Sequence, residues 1–182
     1  MSKSVLFGGS RSLPSSLILR QVVSAFLALG GSVAVGCATG ADAQVISVAL
    51  AQRATSQLAV FAAFGSGGSG AWACSAVSVV RSAAVAGAQV TWWAGGQLSL
   101  PLRARLACRS RAALAGCAAA VFFEPGPGSL SVAAVAVSRG LPVFAFATAA
   151  PALVPGCAGA WVAASFCGFS CWAWSAAQQP LF

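Results

Sequence analysis

Short apolar runs recur along this chain, each followed by a loop rich in Gly, Ser or Pro and then by an Ala-rich stretch of helical length. They fall at residues 4–7 (SVLF), 33–37 (VAVGC), 58–64 (LAVFAAF), 89–93 (QVTWW), 118–123 (AAAVFF) and 142–147 (PVFAFA). A strand that is apolar on both faces must be covered on both, and a parallel sheet between two helical layers does that. The stretches between the runs predict helices over 14–29, 41–53, from the loop at 65–70 to 86, over 101–114 and over 129–139. Gly30-Gly31, Gly87 and Gly140 supply the stops. The alternation therefore predicts an α/β fold, Rossmann-like and doubly wound, with a mostly parallel sheet of about six strands and helices on both faces. Residues 1–148 form this domain. The apolar tail, 149–182, is rich in Trp, Cys and Ala, and the expectation is a helix over about 160–174 that packs on the domain or on a neighbouring subunit.

Hydrophobic residues make up 59% of the chain and charged residues 7%, which raises the question of a membrane. A spanning helix needs about 20 consecutive apolar residues. The uncharged stretch 141–174 is broken by Pro142, Pro151, Pro155, Gly156, Gly159 and Gly168. The apolar run after Lys3 is too short for the core of a signal peptide. A cytoplasmic protein with no membrane partner is expected, lipid attachment of the last forty residues being the lesser alternative. Soluble surfaces usually carry about a quarter or more of charged residues. Burial of Ala, Val and Trp faces against further copies, in a homo-oligomer or filament, is therefore expected.

Ten Lys and Arg oppose two acids, giving a net charge of +8. All the cations but Lys3 are Arg, which grips phosphate in a bidentate fashion. Codon preference in a GC-rich genome accounts for part of this excess, and an anionic partner for the rest. Of the seven Cys, Cys167 and Cys171 could share a helix face. Buried free thiols are the expectation, with no metal site and no cofactor, because the chain has no His.

Four loops follow predicted strands and have the small residues that let backbone N–H groups approach a phosphate. They are Gly8-Gly9-Ser10-Arg11, the turn from Gly36 through Thr39 and Gly40 to Asp42, the run from Gly65 to Gly70, and Pro125-Gly126-Pro127-Gly128-Ser129. The third satisfies G-x-G-x-x-G but lacks the acidic residue about 20 positions on that a dinucleotide site requires.

In their order, the segments FGGSRS, VGCATGADAQVISVAL and LPLRARLACRSRAALAGCAAAVFFEPGPGSLSVAAVAVSRGLPVFAF resemble the SLOG superfamily. That group includes DprA/Smf-type DNA-processing proteins and, more distantly, LOG or lysine decarboxylase-like phosphoribohydrolases. The DprA-like pattern is a GSR loop, a G-x-A-x-G-x-D turn, an R-N-R helix and an SGS-type helix start. Here these look like Gly9-Ser10-Arg11, Gly36 to Asp42, Arg103-Ala104-Arg105 and Gly128-Ser129, over about residues 4–147. The resemblance implies loops that bind a nucleotide, a nucleotide-derived signal or single-stranded DNA. Ala104 departs from the R-N-R pattern. LOG enzymes look like P-G-G-x-G-T-x-x-E, and PGPGSLSV places Val132 where that catalytic Glu would stand. The uncharged tail does not look like the DNA-binding module appended in many DprA proteins.

Residue by residue, Asp42 suits a helix start, where a carboxylate accepts backbone N–H bonds and complements the dipole, or alternatively ligand recognition. Glu124 suits an ion pair with an Arg of the 101–114 helix, or a ligand. Arg11 is the best ligand arm. Arg103 and Arg105 point to different sides of their helix, while Arg105 and Arg109 share a face and could line an anion groove or be solvated. Trp92, Trp93, Trp161, Trp172 and Trp174 could stack bases but suit an interface better. With no His, no Tyr and one Lys, no nucleophile–base pair is available, and no catalytic residue is assigned. The expected function is non-catalytic binding of a nucleotide or single-stranded nucleic-acid phosphate at the Gly-rich loops. The alternative is a self-assembling structural protein that keeps the fold without ligand chemistry.

Overall fold

The computed structural model describes residues 4–177. Eight strands form one sheet in the order β4-β3-β2-β1-β5-β6-β8-β7. β1 (Ser4–Gly9), β2 (Val33–Val35), β3 (Leu58–Phe61), β4 (Gln89–Thr91), β5 (Cys117–Phe123) and β6 (Val143–Phe146) are parallel, as the apolar runs predict. β7 (Gly159–Phe166) and β8 (Phe169–Ala176) are antiparallel to each other, and β8 is antiparallel to β6. The sheet is therefore mixed and larger than six strands.

Period-two alternation divides the core into two layers. Val5, Phe7, Val33, Val35, Val121 and Phe123 face the layer that holds Leu19, Val23, Val45, Ile46 and Val80. Those residues come from α1 (Leu17–Ala28), α2 (Ala41–Ala51) and α3 (Val77–Val85). Leu6, Ala34, Ala120 and Phe122 face the layer of Leu114, Leu130, Ala133 and Ala136. That second layer belongs to α4 (Leu102–Ala115) and α5 (Pro127–Ser138).

Two predicted helices begin later than expected, each for a local reason. α1 starts at Leu17 rather than Pro14, because the Ser16 side chain caps it by accepting from the Leu19 N–H at 3.3 Å. α3 starts at Val77 because residues 71–76 are folded back by Ser75, whose Oγ accepts from the Trp72 N–H at 2.8 Å.

The predicted tail helix is a β-hairpin. Cys167 and Gly168 both take positive φ, 50° and 83°, at its two-residue turn. The strands then alternate faces: Trp161, Trp172 and Trp174 join the α4/α5 layer, while Ala164, Phe166, Phe169 and Cys171 join the other. Phe166 packs against Phe7, Phe26 and Phe144, with ring centroids 6.1, 5.8 and 5.2 Å away. The helix face proposed for Cys167 and Cys171 does not exist, since one is in the turn and the other is buried on β8. All seven Cys are free. Among the described residues, no helix is long and apolar enough to cross a membrane.

Candidate phosphate-binding cleft

From β1 the chain builds β2, β3 and β4 on one side and then returns to place β5 on the other. At such a reversal the loops leaving the two central strands diverge, and a crevice opens beyond their C-terminal ends. Here it is a cleft of about 900 Å³.

Three predicted loops meet in it. Gly8, Gly9, Ser10 and Arg11 line it after β1; Gly36 and Asp42 line it after β2; Gly126, Gly128 and Ser129 line it at the start of α5. Pro127 occupies the first position of α5, so the Gly128 and Ser129 N–H groups are the unbonded donors of that helix end. The fourth wall is α4. Arg103, Leu106, Ala107, Ser110, Arg111 and Leu114 all line the cleft, a helical stripe of i, i+3, i+4, i+7, i+8 and i+11. Arg111 was missed in the sequence, although extending the stripe from Arg103 finds it. Trp72 and Cys74 line the cleft from the segment before α3, and no sequence signal points to them.

The remaining predicted residues sit behind the cleft. Thr39 Oγ1 donates to the Arg11 carbonyl at 3.1 Å, and the Ala41 N–H donates to the Ser10 carbonyl at 3.0 Å. These bonds tie the first loop to the start of α2. Gly40 permits the tie: its φ is +72°, and a Cβ there would collide with the backbone of Ser10 and Arg11. Arg105 is buried, 6% exposed, and donates to the carbonyls of Ala63 at 2.9 Å and Gly70 at 3.0 Å. It clamps the third Gly-rich loop, which lies outside the cleft and closes on itself through Gly65 N–H to the Ser69 carbonyl. Arg105 and Arg109 therefore do not form one anion groove.

Arg109 instead passes over the end of β2 towards Asp42, its Nη1 being 3.6 Å from Oδ2. Gly36 leaves the room, because a Cβ there would overlap the guanidinium and the carboxylate. Asp42 accepts from the Ala38 N–H at 3.1 Å. Burial pushes its carboxyl above the usual range, opposed by Arg109, by that N–H and by Arg11. Burial likewise pushes the Cys37 thiol up, against the pull of Arg109. Glu124 makes no ion pair with α4; its Oε1 accepts from the Thr148 N–H at 3.2 Å, out in solvent. The Trp161 and Trp172 indoles donate to the carbonyls of Ala152 and Ala147, so they are packed groups rather than free stacking platforms.

Neither a family model nor a curated protein matches the sequence. Among solved structures, a match is the X-ray structure of DNA processing protein A (DprA) from Streptococcus pneumoniae. The TM-score is 0.60 at 20% identity, over 85% of this chain and 52% of that one. The chain folds like DNA processing protein A. It spans about half the length of that protein, and the likeness to DprA is one of fold.

Proposed function

We propose that this chain is a non-catalytic protein that holds a nucleotide or a single-stranded nucleic-acid phosphate in the cleft between β1 and β5. One observation carries the reading. Three glycine-bearing loops, the free N–H end of α5, and Arg11, Arg103, Arg109 and Arg111 all line a single cavity at the strand reversal. Backbone donors and guanidinium groups are the two kinds of group that phosphate oxygens accept from best. The fold found in a DNA-processing protein favours a nucleic-acid ligand. The absence of chemistry is supported by Val132, which lines the cleft where the LOG-like pattern places a Glu, and by the lack of any His or Tyr in the chain.

The test is titration of a fluorescently labelled short single-stranded oligonucleotide at several salt concentrations. Binding that weakens steeply with salt, and weakens again in Arg11→Ala, supports the reading. No salt-sensitive binding of the oligonucleotide or of a mononucleotide sinks it.

The self-assembly reading draws on a different observation. Among the described residues the outer edge of β7 is unpaired, and residues 140–177 carry no charge. An eight-residue edge with no charged or proline gatekeeper is a template for pairing with a second copy. Light scattering on wild type and Val162→Lys tests this, Val162 being 45% exposed on that strand. A defined oligomer that the Lys variant dissociates supports self-assembly, and a monomeric wild type removes it.

A further inference from the structure

Arg109 is the least satisfied cation of the cleft. Its side chain is only 13% exposed, its Nε is buried without a partner, and the nearest carboxylate oxygen, at 3.6 Å, lies beyond hydrogen-bond reach. A guanidinium carries five N–H donors, and burying them unmet is expensive. Arg109 lines the cleft, so an acceptor entering it can meet donors that Asp42 leaves unmet. Asp42 is a poor permanent partner. Its Oδ2 is already used by the Ala38 N–H, and it approaches Arg109 through the gap at Gly36 without closing a bidentate pair.

The geometry points to Asp42 as an internal stand-in for ligand: a phosphate entering the cleft takes the Arg109 guanidinium from the Asp42 carboxylate. This rests on the cleft being a phosphate site, as proposed above. Arg109 lines the same cavity as the Gly8–Arg11 loop and the Gly128–Ser129 helix start, so one phosphate group can meet backbone N–H groups and this guanidinium together. Two oxygens of a tetrahedral phosphate can meet the guanidinium fork together, whereas Asp42 reaches it here through one oxygen at 3.6 Å. Asp42 survives the exchange because the Ala38 N–H still holds it. Burial, which already favours its neutral form, eases the loss of a cation beside it. Asp42 thus acts as a built-in competitor that raises the threshold for weak anions.

The experiment is a two-residue cycle on binding of a labelled short single-stranded oligonucleotide, with inorganic phosphate as competitor. Arg109→Ala is expected to weaken binding about tenfold or more, the usual size for a charge-assisted contact. Asp42→Asn keeps the acceptor for Ala38 and is expected to strengthen binding several-fold. In the Arg109→Ala background, Asp42→Asn is expected to change nothing. Weaker binding in Asp42→Asn overturns the proposal, since Asp42 would then be positioning Arg109. A gain that persists without Arg109 also overturns it, since the effect would be bulk charge alone. Wild type that binds neither probe sinks the phosphate reading itself, a result distinct from both. Should Arg109→Ala fail to fold, Arg109→Lys keeps the charge and removes the fork, and a drop in binding is again expected.

Discussion

Two residues apart on α4, Arg103 is exposed on the cleft while Arg105 is buried and donates to the carbonyls of Ala63 and Gly70 at 2.9 and 3.0 Å. The same residue type therefore does two different jobs within one turn. Arg105→Ala orphans two carbonyls and leaves a void under the third Gly-rich loop, so it is expected to cost about 2–4 kcal/mol of stability. Arg103→Ala is expected to change stability by less than about 0.5 kcal/mol and to weaken oligonucleotide binding. Chemical denaturation and titration of both variants check the split. Equal losses of stability would contradict it.

Gly36→Ala would drive a methyl group into the space of the Arg109 guanidinium and the Asp42 carboxylate. Overpacking of this kind costs about 1–3 kcal/mol. The variant should melt lower and bind the oligonucleotide less well. Gly116→Ala, which meets nothing within 4 Å and lies outside the cleft, should do neither and serves as the control.

The raised pKa of Asp42 fixes the sign of a pH effect. The folded state holds the carboxyl proton more tightly than the unfolded chain, where the carboxyl ionises near ~4. The favourable contribution is complete below that value and is lost as pH rises through the higher folded pKa. Wild type should therefore lose stability relative to Asp42→Asn on going upward from about pH 4. Paired melting curves between acid and neutral pH measure it. A wild type that gains on Asp42→Asn over that interval would show that Arg109 outweighs burial.

Thiol chemistry should distinguish the cysteines. Burial pushes the Cys117 thiol up to about 11, while Cys108 is exposed on α4. At pH 8 only about one Cys117 thiol in a thousand is ionised, and the sulfur is covered as well. Alkylation of the native protein followed by peptide mass mapping should label Cys108 first. Cys37 and Cys117 should react only on unfolding, and early labelling of either would contradict the packing described.

Much of this architecture is legible in the sequence, and the exceptions are instructive. The parallel strands are short, apolar on both faces and fenced by glycine, so β1 to β6 can be placed to within a few residues. The tail misleads because Ala and Trp carry little period of their own. Its signals were the Cys167-Gly168 turn and the way Trp161, Trp172 and Trp174 fall on one face with Phe166 and Phe169 on the other. The loops of the cleft announce themselves by composition. Which arginines of α4 enter it does not, because the rotation of that helix is set by Ala113 and Leu114 packing into one core layer with Leu6, Ala34 and Ala120, a tertiary fact.

The hairpin also bears on how the chain can be made. Phe7, on β1, and Phe26, on α1, are completed by Phe166, which lies far along the chain from both. During vectorial synthesis the nascent sheet must therefore wait, with β6 as an open apolar border and a phenylalanine pocket unfilled, until the hairpin has emerged. A truncation or a pause before the hairpin would leave that border available to any neighbouring strand, so the fold is most vulnerable to misassociation just before the hairpin pairs with β6.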